Sequence, residues 1–282
     1  MKFLSFGILM GLMLQSAPAG LIMEGASLEK LADGFLFTEG PAADKAGNVY
    51  FTDQPNDRIM KWGIDGKLST FMQPSGRANG LCFDRKGRLW AAADEKNELW
   101  RISPNGKVRV VLKNYEGKLF NGPNDIWMAP NGNLYFTDPF YKRNYWKRGD
   151  KEMKECVYLL DKSGKIARVI DNLEQPNGII GTPDGKRLYV ADIKGKATYR
   201  FDILENGLPG PGKLHCSMGS DGMTIDDQGN IYLTGRGVFV FSPTGEQSEH
   251  IEVPEPWTAN VCFGGKNRDR LFITASKGLY SI

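Results

Sequence analysis

Six times along the chain, an oxygen-bearing side chain stands eleven or twelve residues ahead of an aromatic residue that opens a short apolar run. The pairs are Glu39/Tyr50, Asn79/Trp90, Asn124/Tyr135, Asn177/Tyr189, Asp221/Tyr232 and Asn260/Phe272. The aromatic residues advance by 40, 45, 54, 43 and 40. Each apolar run has others around it, as in NGLCFD from 79 and NELWRIS from 97, with Gly, Asn, Asp and Pro between them. No helical period competes, so the chain reads as all-β. Four short strands recurring at about 40 to 45 residues mark a β-propeller, and six units predict six blades.

The sixth unit stops after its third strand, GLYSI from 278, so a closed ring lacks one strand. The missing strand is expected at the other end. SLEKLADGFLFTEG at 27–40 has the layout of IARVIDNLEQPNG at 166–178, a fourth strand leading into a ring position. An N-terminal strand that completes the last blade removes an exposed edge and staples the ring.

Ahead of it, Lys2 is followed by an apolar stretch from Phe3 to Leu14 and by Ala17-Pro18-Ala19. Residues 1–19 read as a secretory signal, too short in its apolar part for the roughly 20 residues of a spanning helix. The mature chain, 20–282, is then expected to be one propeller domain, exported to the periplasm or beyond. The formal charge of +3 falls to +2 without Lys2, which gives no electrostatic case for nucleic acid or a membrane as partner. A small-molecule substrate and a monomeric enzyme are expected. The four cysteines have neither metal-ligand spacing nor the density of a disulfide scaffold. Cys82 follows ring residue Asn79 by three residues and Cys262 follows Asn260 by two, and both are expected as buried thiols at matching sites. Whether Cys156 and Cys216 pair is open.

Equivalent positions in a closed repeat become neighbours, so the series predicts one polar ring of Glu, Asn, Asn, Asn, Asp and Asn at a channel mouth. Oxygen ligands with two carboxylates suit a hard divalent cation such as Ca²⁺, and the absence of His and Cys argues against zinc or copper. Asn and Asp also satisfy backbone groups in ordinary turns. Glu39 is the exception, a poor turn former followed directly by Gly40-Pro41.

TEGPA from 38, NGPNDIW from 121, QPNGI from 175, SDGMTID from 220 and the ending NVCFGG, RLFITAS and GLY together resemble the gluconolactonase and regucalcin (senescence marker protein) family. The likeness covers nearly all of the mature chain. It implies a lactonase with a divalent metal, usually calcium, held by Glu39, Asn177 and Asp221. Asn124 corresponds to a residue that contacts substrate in some members and metal in more distant ones, and both roles stay open. Where an animal relative carries an Arg two residues before this Asn, the chain has Gly122, so the substrate does not transfer.

Attack on a lactone carbonyl puts negative charge on its oxygen, which a neighbouring cation stabilises while making hydroxide more available near neutrality. Asp221 is the expected base and Glu39 a group that only fixes the ion. The long interval before Tyr189 comes from an insertion, PFYKRNYWKRGDKEMKE at 139–155, expected on the same face. Its Tyr141 and Lys142, with Arg143, suit a lid that excludes water and attracts an anionic substrate. Arg236, in TGRG of blade five, is a further candidate for substrate contact. His215 and His250 fall outside the ring, so no triad is expected. Asp53, Asp94, Asp138 and Asp192, which end second strands, read as structural. The rivals to a lactonase are a non-catalytic propeller that binds a ligand or protein at this mouth, and a related metal-dependent phosphoesterase.

Overall fold

The computed structural model describes residues 21–282, and the leader expected at 1–19 lies outside them. Six four-stranded antiparallel sheets follow one another. The innermost strands are Thr38–Ala43, Ala78–Phe83, Ile126–Met128, Pro176–Gly181, Met223–Ile225 and Thr258–Gly264. In five blades the chain then runs outward through three more strands. In the sixth, Arg270–Ala275 and Gly278–Ser281 are followed by Glu29–Ala32 from the other end of the chain. Glu29 pairs with Ser281 and Lys30 with Tyr280, so the six-bladed ring closes through the N-terminal strand as expected. A Thr38 hydroxyl donating to the Gly278 carbonyl at 2.9 Å ties blade one to the same seam.

The apolar core is a series of layers between blades. Trp90, Ala92 and Leu99 of blade two pack on Ile126, Leu134, Phe136 and Tyr158 of blade three, and similar layers fill the other gaps. Period-two alternation on strands buried on both faces produces this arrangement, since each sheet has an apolar surface for each neighbour.

Near the axis there is no room for side chains between strands. Gly40, Gly80, Gly178 and Gly222 directly follow the ring residue in four blades. A Cβ on Gly40 would lie 2.1 Å from the Asn79 carbonyl oxygen, and one on Gly80 2.3 Å from that of Asn124. The neighbouring backbones therefore touch, and Gly80 N–H donates to Asn124 O at 2.8 Å. The first-to-second strand register also slips at the ring position in blades one, two, four and six. Such bulges re-aim the side chain they carry.

The aspartates that end second strands have a shared task. Asp53 accepts from the N–H groups of Leu36 and Phe37, Asp138 from Asn121 and Gly122, and Asp192 from Glu174 and Gln175, at 2.8 to 3.3 Å. In each blade these donors are the third and second residues before the ring position, so one carboxylate fixes the strand that presents the ring side chain. Blade two departs from the pattern. There Asp57 receives the Ser75 and Arg77 N–H groups instead, which leaves Asp94 free for another partner.

All four cysteines are free thiols. Cys82 pairs across the sheet with Trp90 and Cys262 with Phe272, the matching sites expected, although Cys82 is only partly buried. Burial pushes the Cys262 thiol up to about 12 and raises that of Cys82 further.

Deleting residues 27–34 should abolish cooperative unfolding in calorimetry, because it reopens the ring rather than trimming a tail. Asp138→Ala should lower unfolding free energy by about 2 to 4 kcal/mol in denaturant titrations, since it orphans two buried N–H groups.

Candidate active site

Glu39, Asn124 and Asp221 line one cavity of about 240 Å³ with Tyr141, Arg143 and Trp257. Asn79 reaches the same space. Asn177 joins from its edge, its amide nitrogen donating to Tyr141 Oη at 2.9 Å and to Asp221 Oδ1 at 2.8 Å. Glu39, Asn79, Asn124 and Asn177 are buried and Asp221 is partly so.

Lys142 and Arg236 are not brought to this cavity. Lys142 is 82% exposed and points at Asp150, and Arg236 is exposed on the hairpin of blade five, its carbonyl against the His250 ring. His215 packs edge-on against Tyr189 in an outer strand, and His250 stacks on Phe239. Neither histidine touches the ring.

Asp221 is held from two sides. Oδ1 accepts from Asn177, and Oδ2 accepts from the Trp257 indole N–H at 2.6 Å. Glu39 Oε2 accepts from Gly40 N–H at 2.9 Å and from the Asn260 amide at 3.4 Å. The same Asn260 amide donates to Asp125 at 3.0 Å, a contact between blades six and three, which face each other across the channel. Asn260 therefore supports Glu39 from beneath. Further along the innermost strands a larger cavity of about 580 Å³ opens, lined mainly by their alternating apolar side chains. Its size is no argument for chemistry, because the convergent oxygens lie at the other mouth.

Glu39 and Asp221 share the small cavity, and Asp125, joined to Glu39 through Asn260, lines the larger one. Burial first, then the charges of Asp221 and Asp125, hold Glu39 well above the usual carboxylate range. Asp125 is raised in the same way, by burial and then by Asp221. Asp221 is raised by burial, against its hydrogen bonds from Trp257 and Asn177 and the charge of Arg143. Burial is the largest cause of all three shifts, and neighbouring carboxylates add to it for Glu39 and Asp125.

Among the described residues, no three His, Cys, Asp or Glu side chains gather closely enough to hold an ion alone. A cation here would need amide oxygens, and Asn177 Oδ1 and Asn79 Oδ1 are both buried with no hydrogen-bond partner. Two carboxylates and an unpartnered amide oxygen form a hard donor set, and they fit a divalent ion of the calcium type.

The insertion at 139–155 folds over this mouth and is clasped by Asp94. Asp94 Oδ2 accepts from Arg143 Nε at 3.1 Å and from the Tyr145 hydroxyl, and the Trp146 indole donates to the Asp94 carbonyl at 2.7 Å. Arg148 donates to the Phe120 carbonyl, and Glu155 closes the base of the loop through Phe140 N–H and Lys151. Trp146 lies over Gly122, where a Cβ would meet its ring at 3.2 Å. The missing side chain at 122 is therefore space occupied by the insertion.

Sequence reasoning passed over Asp125 and Trp257 and read Asp94 only as a structural strand end. A signal existed for Asp125, since blade three is one of two blades in which the ring residue is not followed by Gly. For Trp257 and Asp94 the partners are remote in sequence, and no local pattern marks them.

Residues 37–277 match the SMP-30/gluconolactonase/LRE-like region. A gluconolactonase of Zymomonas mobilis is 32% identical over 90% of this chain and 80% of its own length. The crystal structure of a gluconolactonase from Xanthomonas campestris is 29% identical and superposes with a TM-score of 0.84, over 90% of this chain and 88% of that one. A calcium-binding protein, regucalcin, from Agrobacterium tumefaciens shares the fold at 21% identity and a TM-score of 0.77, covering 90% and 92%. With its six blades, its closing N-terminal strand and its acidic channel mouth, the chain belongs to the SMP-30/gluconolactonase/LRE-like family.

Proposed function

We propose that this protein hydrolyses a sugar-type lactone at the cavity lined by Glu39, Asn124 and Asp221. The observation that carries the reading is the convergence of the Glu39 and Asp221 carboxylates on one cavity beside the buried, unpartnered Asn177 Oδ1. The relatives named gluconolactonase supply the substrate class.

Glu39, Asn177 and Asp221 would hold a divalent cation, which when bound supplies positive charge beside the carbonyl oxygen as it becomes an oxyanion. Asp221 takes a proton from the attacking water as the water oxygen bonds to the carbonyl carbon. The ring C–O bond then breaks and the proton passes to the departing oxygen, so lactone plus water gives the open hydroxy acid. Asn177 and Trp257 lock the Asp221 carboxylate in one orientation, which spares the cost of ordering it during the reaction. Tyr141 Oη already accepts from Asn177, so its own proton is available to an oxygen of the substrate. Tyr141 and Arg143 of the insertion line the cavity and would shield a bound lactone from bulk water. Export through a leader at 1–19 belongs to the same proposal.

Three outcomes check this reading. Lactone opening, followed by proton release, should stop on chelation and return with Ca²⁺ or another divalent ion. Asp221→Asn should lower kcat by about 100-fold or more with the fold intact by circular dichroism. Added Ca²⁺ should raise the Tm of the chelated wild type, and Glu39→Gln should remove that shift. A propeller that only binds ligands would show the Tm shift without turnover.

A further inference from the structure

We infer that Arg143, gripped by Asp94, is the specificity-determining residue of this site and binds the hydroxyl-bearing edge of a neutral polyhydroxylated lactone. The inference rests on the proposed lactonase reading and adds the group that selects the substrate.

Arg143 lines the cavity with Glu39 and Asp221, yet it comes from the inserted loop rather than from the ring. Its Nε is used by Asp94 at 3.1 Å, while its terminal nitrogens have no protein hydrogen bond among the described residues. A guanidinium anchored at one nitrogen presents its other donors as a planar fork, suited to two neighbouring oxygens. Its plane also lies against Tyr141, with Cζ 5.4 Å from the ring centroid, so the fork cannot swing freely.

The charge balance selects the kind of oxygen. Asp94 is 3% exposed and sits against Arg143, so the pair carries little net charge, with its Arg143 end toward Asp221. The other basic residues of the loop point away from the cavity: Lys142, Lys147 and Lys154 are exposed, Lys151 pairs with Glu155, and Arg148 donates to the Phe120 carbonyl. Glu39 and Asp221 together match the charge of a divalent cation and Asp94 offsets Arg143, so an anionic substituent would bring a charge that nothing in the cavity balances. Hydroxyl groups have no such penalty and can accept from the fork. The site thus favours uncharged ring hydroxyls over the anionic substrate that the basic composition of the loop suggests. Asn79, 3% exposed with its Oδ1 unpartnered in the same cavity, provides an acceptor for a hydroxyl proton.

Asp94 is a positioning residue. It is the one second-strand aspartate of the Asp53, Asp94, Asp138 and Asp192 set that is released from clamping its own ring strand, and it holds Arg143, Tyr145 and Trp146 instead. Its loss should therefore act on Arg143 and not on the carboxylates.

The test compares D-glucono-1,5-lactone with δ-valerolactone, the same ring without hydroxyls, in wild type, Arg143→Ala, Arg143→Lys and Asp94→Asn. The wild-type preference for the hydroxylated ring, as a ratio of kcat/KM values, should fall about 30-fold in Arg143→Ala, mainly through KM, and by less in Arg143→Lys. Asp94→Asn should reproduce part of the KM effect. Calorimetry with 1,5-anhydro-D-glucitol, a ring polyol with no ester, reads the same contact without turnover. Weaker binding of this polyol by Arg143→Ala supports the inference even if the wild type opens no lactone, an outcome that would defeat the lactonase reading alone. An unchanged preference ratio, or polyol binding that is absent in the wild type or equal in both proteins, overturns it.

Discussion

The convergence of Glu39, Asn177 and Asp221 on one channel mouth is what the rest of this molecule has to maintain. Glu39 and Asp125 are buried and the charge of Asp221 adds to the cost of ionising each, so left alone these side chains would turn away or take up a proton. The fold keeps them together by over-determining their positions. Gly40 lets its strand approach blade two closely while donating its N–H to Glu39, and Asn260 reaches across the channel to hold Glu39 and Asp125 at once. Asn177 and Trp257 pin Asp221. Breaking such a network by removing one partner costs more than its net worth, since the remaining charges stay buried.

The propeller suits this task because the ring is rigid in the plane where the charges meet. Each blade is covered on both faces by its neighbours, and Asp53, Asp138 and Asp192 tie the entering segments in three of them. Closure through Glu29–Ala32 then makes the ring continuous, so no blade can tilt outward and separate these side chains.

Much of this was legible in the sequence, for reasons that are specific. The blade count followed from six aromatic residues because every blade must bury the same position, and the closing strand followed from a shortage of one strand at Gly278–Ser281. Glu39 stood out because its residue type is wrong for a turn. The second-strand aspartates were legible as structural, but their partners lie sixteen to eighteen residues upstream and belong to the ring-entry segments. The directions of side chains in the insertion were not legible at all. Composition could not distinguish Lys142, which faces solvent, from Arg143, which enters the cavity, because that difference is made by Asp94 of another blade.

The central claim is that Glu39, Asn177 and Asp221 form a cation site. Its most direct test is an anomalous-difference map from crystals grown with Mn²⁺, a scattering stand-in for a hard divalent ion. A single strong peak within about 2.6 Å of oxygens from all three side chains is the predicted result. A peak elsewhere in the channel, or none at this mouth under saturating metal, would contradict it.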